Sequence, residues 1–141
     1  MNRLLVLAFA CVALGAAAQE VSPDLASART LSCKFGGGTR TTWVGGQPKT
    51  ADARLDDEVV FDSIDLPNGT VRVLASVRID QAHVALSPVG MFVVDARPGV
   101  IEMMTIFPKG ADGSFPAVDM RQLNSSGPST EQYFGNCRLQ R

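Results

Sequence analysis

The chain has 141 residues, a formal net charge of −1, 45% hydrophobic residues and 19% charged residues. That suffices for one domain with a real core and falls short of two. With 13 Lys+Arg against 14 Asp+Glu there is no net basic field to hold phosphates, and ordinary apolar content with near-balanced charge excludes intrinsic disorder.

The first eighteen residues read as a cleavable signal peptide. Asn2 and Arg3 form a short positive start, Leu4 to Leu14 are apolar and uncharged, and Ala16-Ala17-Ala18 supplies small residues for cleavage before Gln19. The run is too short for a comfortable permanent span, which needs about 20 residues. A lipoprotein reading through Cys11 would follow Ala8-Phe9-Ala10, a poor lipobox. The Ala-rich style is bacterial, so the expected destination is the periplasm or the medium. No later segment is long and apolar enough to cross a membrane.

Cleavage removes Arg3 and Cys11, leaving 12 basic against 14 acidic residues and two cysteines, Cys33 and Cys137. Two cysteines in an oxidising compartment are expected to pair, stapling the ends of the domain across a loop of about 105 residues. Free thiols, an intermolecular bridge and half a metal site are the rival readings. Metal is poorly served by one histidine and no closely spaced cysteines.

Residues 19–29 are polar, contain Pro23 and read as a flexible leader; residues 30–141 form the single β-domain. Short runs rich in Val, Ile, Phe, Thr and Met alternate with Gly, Pro, Asn and Asp. Thr30–Phe35 and Thr39–Val44 flank Gly36-Gly37-Gly38, read as a hairpin turn. Lys49–Asp57 has the look of one helical turn. Glu58–Ile64 and Thr70–Ile79 flank Leu66-Pro67-Asn68-Gly69, a second hairpin. In Thr70–Ile79 the residues Val71, Val73, Ala75, Val77 and Ile79 share one face, with Arg72, Ser76 and Arg78 on the other.

His83–Leu86, Met91–Ala96, Val100–Pro108, Phe115–Leu123 and Glu131–Leu139 continue the series, with turns at Pro98-Gly99 and Lys109–Gly113. Val100–Phe107 is apolar on both faces except at Glu102 and Thr105, which predicts a central strand covered on both sides. The pattern predicts an all-β fold, a small antiparallel barrel or sandwich of about eight or nine strands.

Catalytic motifs are missing. His83 is the only histidine, and there is no Gly-x-Ser-x-Gly, no phosphate-binding Gly-rich loop and no Cys-x-x-Cys. A hydrolase would have to use His83, which sits in an alternating apolar run and reads as a strand residue. Asp52, Asp56, Asp57, Glu58, Asp62 and Asp65 against Arg54 give −5 over residues 52–65. Their spacing fits neither a calcium loop nor a glycosidase pair, so a solvated acidic loop able to steer a basic protein is expected. Trp43 reads first as a core aromatic at a hairpin end and second as a binding residue. Asn68-Gly69-Thr70 and Asn124-Ser125-Ser126 are read as turns.

The ending Glu131-Gln132-Tyr133-Phe134-Gly135-Asn136-Cys137, with Met104–Phe107 and the early Cys33 and Trp43, resembles small exported bacterial proteins without an assigned activity. In layout the chain is also similar to periplasmic inhibitors of C-type lysozyme, small disulfide-stapled barrels. That family's Ser-Gly-x-Arg-Tyr-type loop is missing, and Ser125-Ser126-Gly127-Pro128 does not replace it, so no inhibitory residue carries over. The expectation is a secreted or periplasmic binding domain that is not an enzyme and needs no cofactor. Its partner would be a small apolar ligand or an extracytoplasmic protein, with Trp43, Asp56, Asp57 and Glu58 as the candidate contact surface. An envelope structural protein and a small hydrolase using His83 are the alternatives.

Overall fold

The computed structural model describes residues 20–75, 78–124 and 127–140; the signal-peptide reading of residues 1–18 lies outside them. A short helix, α1 (Pro23–Ser27), precedes nine strands. These are β1 (Leu31–Val44), β2 (Gln47–Arg54), β3 (Glu58–Asp65), β4 (Thr70–Ala75), β5 (Arg78–Ser87), β6 (Gly90–Arg97), β7 (Val100–Ile106), β8 (Phe115–Leu123) and β9 (Ser129–Leu139). Strands β1 and β3 to β9 pair antiparallel in a closed ring, because β9 pairs back onto β1. The fold is therefore a small eight-stranded barrel, with β2 outside the ring.

The expected Cys33–Cys137 disulfide is present and joins directly opposed residues of β1 and β9. It therefore staples the seam where the sheet closes as well as the ends of the chain. Its two sulfurs lie inside the barrel, fully buried.

Gly36-Gly37-Gly38 is not a turn. β1 runs straight through it, and the register with β9 shifts between Phe35 and Gly38, marking a bulge. Gly38 is required for a different reason: a Cβ there would sit 1.9 Å from the Gln132 carbonyl oxygen. The true hairpin turn is Gly45-Gly46, both at positive φ (60° and 78°), closed by the Val44–Gln47 pair. Consequently residues 47–54 are a strand, where one helical turn over Lys49–Asp57 was expected. Past the bulge β1 outruns β3, which pairs only with Leu31 to Lys34, and β2 takes up β1's edge from Gly37 onward. The β1–β2 hairpin thus projects beyond one end of the barrel.

The long alternating run Thr70–Ile79 is divided. Ala75 pairs with Arg78, so β4 and β5 are two arms of a hairpin; Ser76 and Val77 lie outside the described residues. Such a reversal pairs odd with even positions: Ile79 opposes Leu74 on the outer surface, 73% exposed, while Ala82 and Val84 take the inner face. Period-2 alternation alone does not record this reversal.

Phe61, Val71, Val73, Val84, Met91, Met104, Ile106 and Phe115 fill the half of the barrel where β1 begins. That end is closed by α1. Residues 19–29 were expected to be a loose leader, but Leu25 is fully buried and Ala28 nearly so. Lys109 pairs with Asp24 at 2.7 Å, and the amides of Ile64 and Gln140 donate to the carbonyls of Arg29 and Thr30. Pro23 suits the first helical turn, where its missing N–H costs nothing.

β7 is covered on one side only. Glu102, Met104 and Ile106 face inward, whereas Ile101 is half exposed and Met103 is also on the surface. In a single closed sheet the outer face has no second layer to cover it. Among the described residues no helix is long and apolar enough to cross a membrane.

Candidate functional site

The other half of the barrel interior is charged. Successive inward positions read Met91, Val93, Asp95, Arg97 on β6 and Ile106, Met104, Glu102 on β7. They read Phe115, Ala117, Asp119, Arg121 on β8 and Cys137, Gly135, Tyr133, Glu131 on β9. The switch from apolar to ionic is level on β6, β7 and β9, where Asp95, Glu102 and Glu131 begin the ionic half. It comes one pair sooner on β8, where Asp119 stands opposite Met104 and Tyr133. The ions alternate in sign: Arg97 reaches Asp95 (2.8 Å) and Glu102 (3.2 Å), and Arg121 reaches Glu102 (2.9 Å) and Asp119 (2.8 Å). Arg121 also stacks over the Tyr133 ring at 5.5 Å. The Tyr133 hydroxyl donates to Glu131 (2.9 Å), whose other oxygen accepts from Arg40 on β1 (2.5 Å).

Burial opposes the charge on Arg121, but Asp119 and Glu102 outweigh it and hold the guanidinium above its usual range. Burial, followed by the Glu131 carboxylate, pushes the Tyr133 phenol above its ordinary value. Such a belt has to be paired this closely, since leaving one buried ion without its partner would cost about 3–5 kcal/mol. It occupies the lumen with ion pairs where an apolar ligand would otherwise enter. A signal for it existed in the sequence: each charge stands in phase with the core residues of its strand.

Above the belt, three connections meet at the rim: the β1–β2 hairpin, the β6–β7 turn and the β8–β9 loop. Trp43, Val100, Ile101, Leu123 and Pro128 line a hollow of about 460 Å³ there, and Arg97 also lines it. Gln122, Asn124, Ser129 and Thr130 supply its polar edge. A second hollow of about 250 Å³ shares Trp43, Leu123, Pro128 and Ser129 with the first and extends to Arg40 and Glu131. The Asn124 amide donates to the Gly99 carbonyl at 2.9 Å, tying the β8–β9 loop to the β6–β7 turn. The Thr41 and Thr50 hydroxyls bond at 2.7 Å across the hairpin that carries Trp43.

Trp43 is 45% exposed, so the structure corrects the core reading and places it at the rim. The acidic residues stand elsewhere. Asp56, Asp57 and Glu58 lie at the β2–β3 corner, nine positions along β1 from Trp43, about 30 Å at strand spacing. They are partly neutralised: Arg54 holds Asp56 at 2.8 Å, Ser32 and Lys34 contact Glu58, and Asp57 accepts the Glu58 amide. Further along β3, Arg72 binds Asp62 and holds its carboxyl below the usual range. Trp43 and the acidic residues therefore do not form one contact surface.

His83 is exposed on the outer face of β5, opposite Thr70 and Val94. Among the described residues no group of His, Cys, Asp or Glu is arranged to hold a metal ion. Compared with known family models, curated proteins and solved structures, the chain gives no match.

Proposed function

We propose that the chain is an exported, non-catalytic binding domain whose ligand surface is the barrel rim around Trp43. The observation that carries this reading is the 460 Å³ hollow, where the chain's sole tryptophan stands half exposed over Val100, Leu123 and Pro128. Apolar walls with a few polar groups, at this size, are the usual make-up of a small-molecule site. The rim is also braced before any ligand arrives, by the Asn124–Gly99 bond and the threonine pair, which lowers the ordering cost of binding. Export is supported by the charge and apolar pattern of residues 1–18 and by a disulfide suited to an oxidising, extracytoplasmic compartment.

A second reading, a docking module for an extracytoplasmic protein, is favoured by the outer face of β7 to β9. There Ile101, Met103, Met120 and Phe134 are exposed, and Ile101 also lines the rim hollow.

Native and denatured mass spectrometry of protein recovered from fractionated cells tests both readings. The expected denatured mass is that of residues 19–141 less two hydrogens, found outside the cytoplasm. A small discrete excess in the native mass supports a retained ligand, and a protein-sized excess supports the docking module. Full-length chain confined to the cytoplasm would overturn export. Equal native and denatured masses would overturn a retained ligand.

A further inference from the structure

We infer that the rim hollow takes an uncharged saccharide, with one sugar ring stacked on the Trp43 indole. This rests on the rim being a binding site and names its ligand class. Three features of the lining select the class.

The first is the combination of a flat aromatic face with an apolar floor. Trp43 lines the hollow together with Val100, Leu123 and Pro128. A pyranose presents a face of C–H groups with hydroxyls around its perimeter, so it needs one flat apolar surface with polar groups around it. An indole offers such a surface at little cost in side-chain entropy.

The second is the chemistry of that perimeter. Gln122, Asn124, Ser129 and Thr130 carry amides and hydroxyls, groups that both donate and accept hydrogen bonds. Sugar hydroxyls require both from their partners. A hydrocarbon chain would instead desolvate these four residues without replacing their hydrogen bonds with water, a penalty that disfavours it.

The third is charge. Among the described residues Arg97 is the one ionic residue lining the larger hollow, and its guanidinium is engaged by Asp95 and Glu102. Among the described residues no carboxylate lines that hollow, so its lining does not call for a cationic ligand, and Arg97 is already committed within the belt. The adjoining 250 Å³ hollow across Trp43 and Leu123 gives a linear oligosaccharide room for rings beyond the one stacked on the indole.

The test is titration of the mature, oxidised chain with chitotriose, cellotriose and maltotriose, and with laurate as an apolar comparison. Trp43 emission and calorimetry are the readouts. At least one trisaccharide is expected to shift the emission to the blue and to saturate. Asn124→Ala, which keeps the fluorophore, is expected to weaken that binding about tenfold, the worth of one hydrogen bond. Trp43→Ala is expected to abolish it by calorimetry, with the thermal transition of both variants unchanged. If laurate binds at Trp43 and no trisaccharide does up to about 10 mM, the saccharide inference falls and the rim site stands. If no probe binds, both fall. Trisaccharide binding that survives both substitutions would also overturn the inference, by placing the sugar elsewhere.

Discussion

Arg40 and Glu131 face each other across the seam where β9 closes onto β1, and the guanidinium holds one carboxylate oxygen at 2.5 Å. Arg40 stands half in water while the Glu131 side chain is 5% exposed, so the pair joins the ionic belt to the solvent at the rim. Tyr133 completes the arrangement from within the barrel.

Removing the Glu131 carboxylate should therefore leave a buried phenol without its acceptor. Glu131→Ala is expected to cost about 2–3 kcal/mol, and Glu131→Gln, which still accepts from Tyr133, about 1 kcal/mol. Urea unfolding of the two variants checks this; equal midpoints for the two would refute the role given to the Tyr133 bond.

Tyr133 is the chain's single tyrosine, so its ionisation can be followed without overlap from another phenol. The folded state raises its pKa, first through burial and then through Glu131. The proton is thus bound more tightly in the folded than in the unfolded chain. The associated stability is complete below about pH 10, the ordinary phenol value, and is lost as pH rises through the folded-state value. Absorbance near the tyrosinate band should show a midpoint above that of free tyrosine, moved back toward it in Glu131→Gln. A midpoint at the ordinary value would contradict the buried geometry.

Of the three consecutive glycines in β1, the structure singles out one. A Cβ at Gly36 or Gly37 meets nothing within 4 Å, whereas at Gly38 it would overlap the Gln132 carbonyl and the Tyr133 ring. Gly38→Ala is expected to destabilise by about 3 kcal/mol or more, and Gly36→Ala to stay within about 0.5 kcal/mol. Thermal melts of the two single variants decide the matter. Similar losses in both would mean that the bulge, rather than the approach of β9, sets the requirement.

The Cys33–Cys137 bridge spans 104 residues of sequence, so the chain-entropy argument assigns it about 4–5 kcal/mol. Cys33→Ala/Cys137→Ala should lower the denaturation midpoint accordingly and loosen the β1–β9 seam first. Hydrogen exchange at Lys34 and Asn136 reports on that seam. Unchanged protection there in the double variant would show that backbone pairing alone keeps the barrel shut.

At the acid end, Arg72 is the first cause holding the Asp62 carboxyl low. The stability it contributes is present above about pH 4, the ordinary carboxylate value, and is lost as pH falls through the lowered folded-state value. Arg72→Ala should reduce that acid-side loss by a small amount, since Arg72 is half exposed and the pair is screened. Stability measured between about pH 5 and pH 2 in both proteins provides the check.

Much of the local pattern was legible. Alternation in Phe115–Leu123 and Glu131–Leu139, the Asn68-Gly69 and Pro98-Gly99 turns and the paired cysteines specify strands, reversals and a staple through contacts near in sequence. Of the features that were misplaced, three share one cause: the competing structures give the same local signal. Gly36-Gly37-Gly38 suits a turn or a bulge equally. The odd-numbered apolar run 71–79 reads the same whether or not the chain reverses after Ala75. Trp43 has the same local sequence whether the β1–β2 hairpin packs inward or projects beyond the barrel.

Most of the strands, and the cysteines available to pair, are written in the sequence because side-chain period and turn chemistry act over a few residues. β2 and the faces of β5 and β7 depend instead on partners distant in the chain. Only the tertiary structure decided that β9 closes on β1, and hence that there is an interior at all. The pairing of β6 to β9 sets Asp95 opposite Glu102 and Glu131 opposite Arg121, and it brings Arg97 and Arg121 between the carboxylates. Closure gathers Trp43, Val100, Leu123 and Pro128, up to 85 positions apart, around one hollow. Neither grouping is a property of any strand alone: the ionic one follows from the registers of β6 to β9, and the hollow also needs β1 to meet β9.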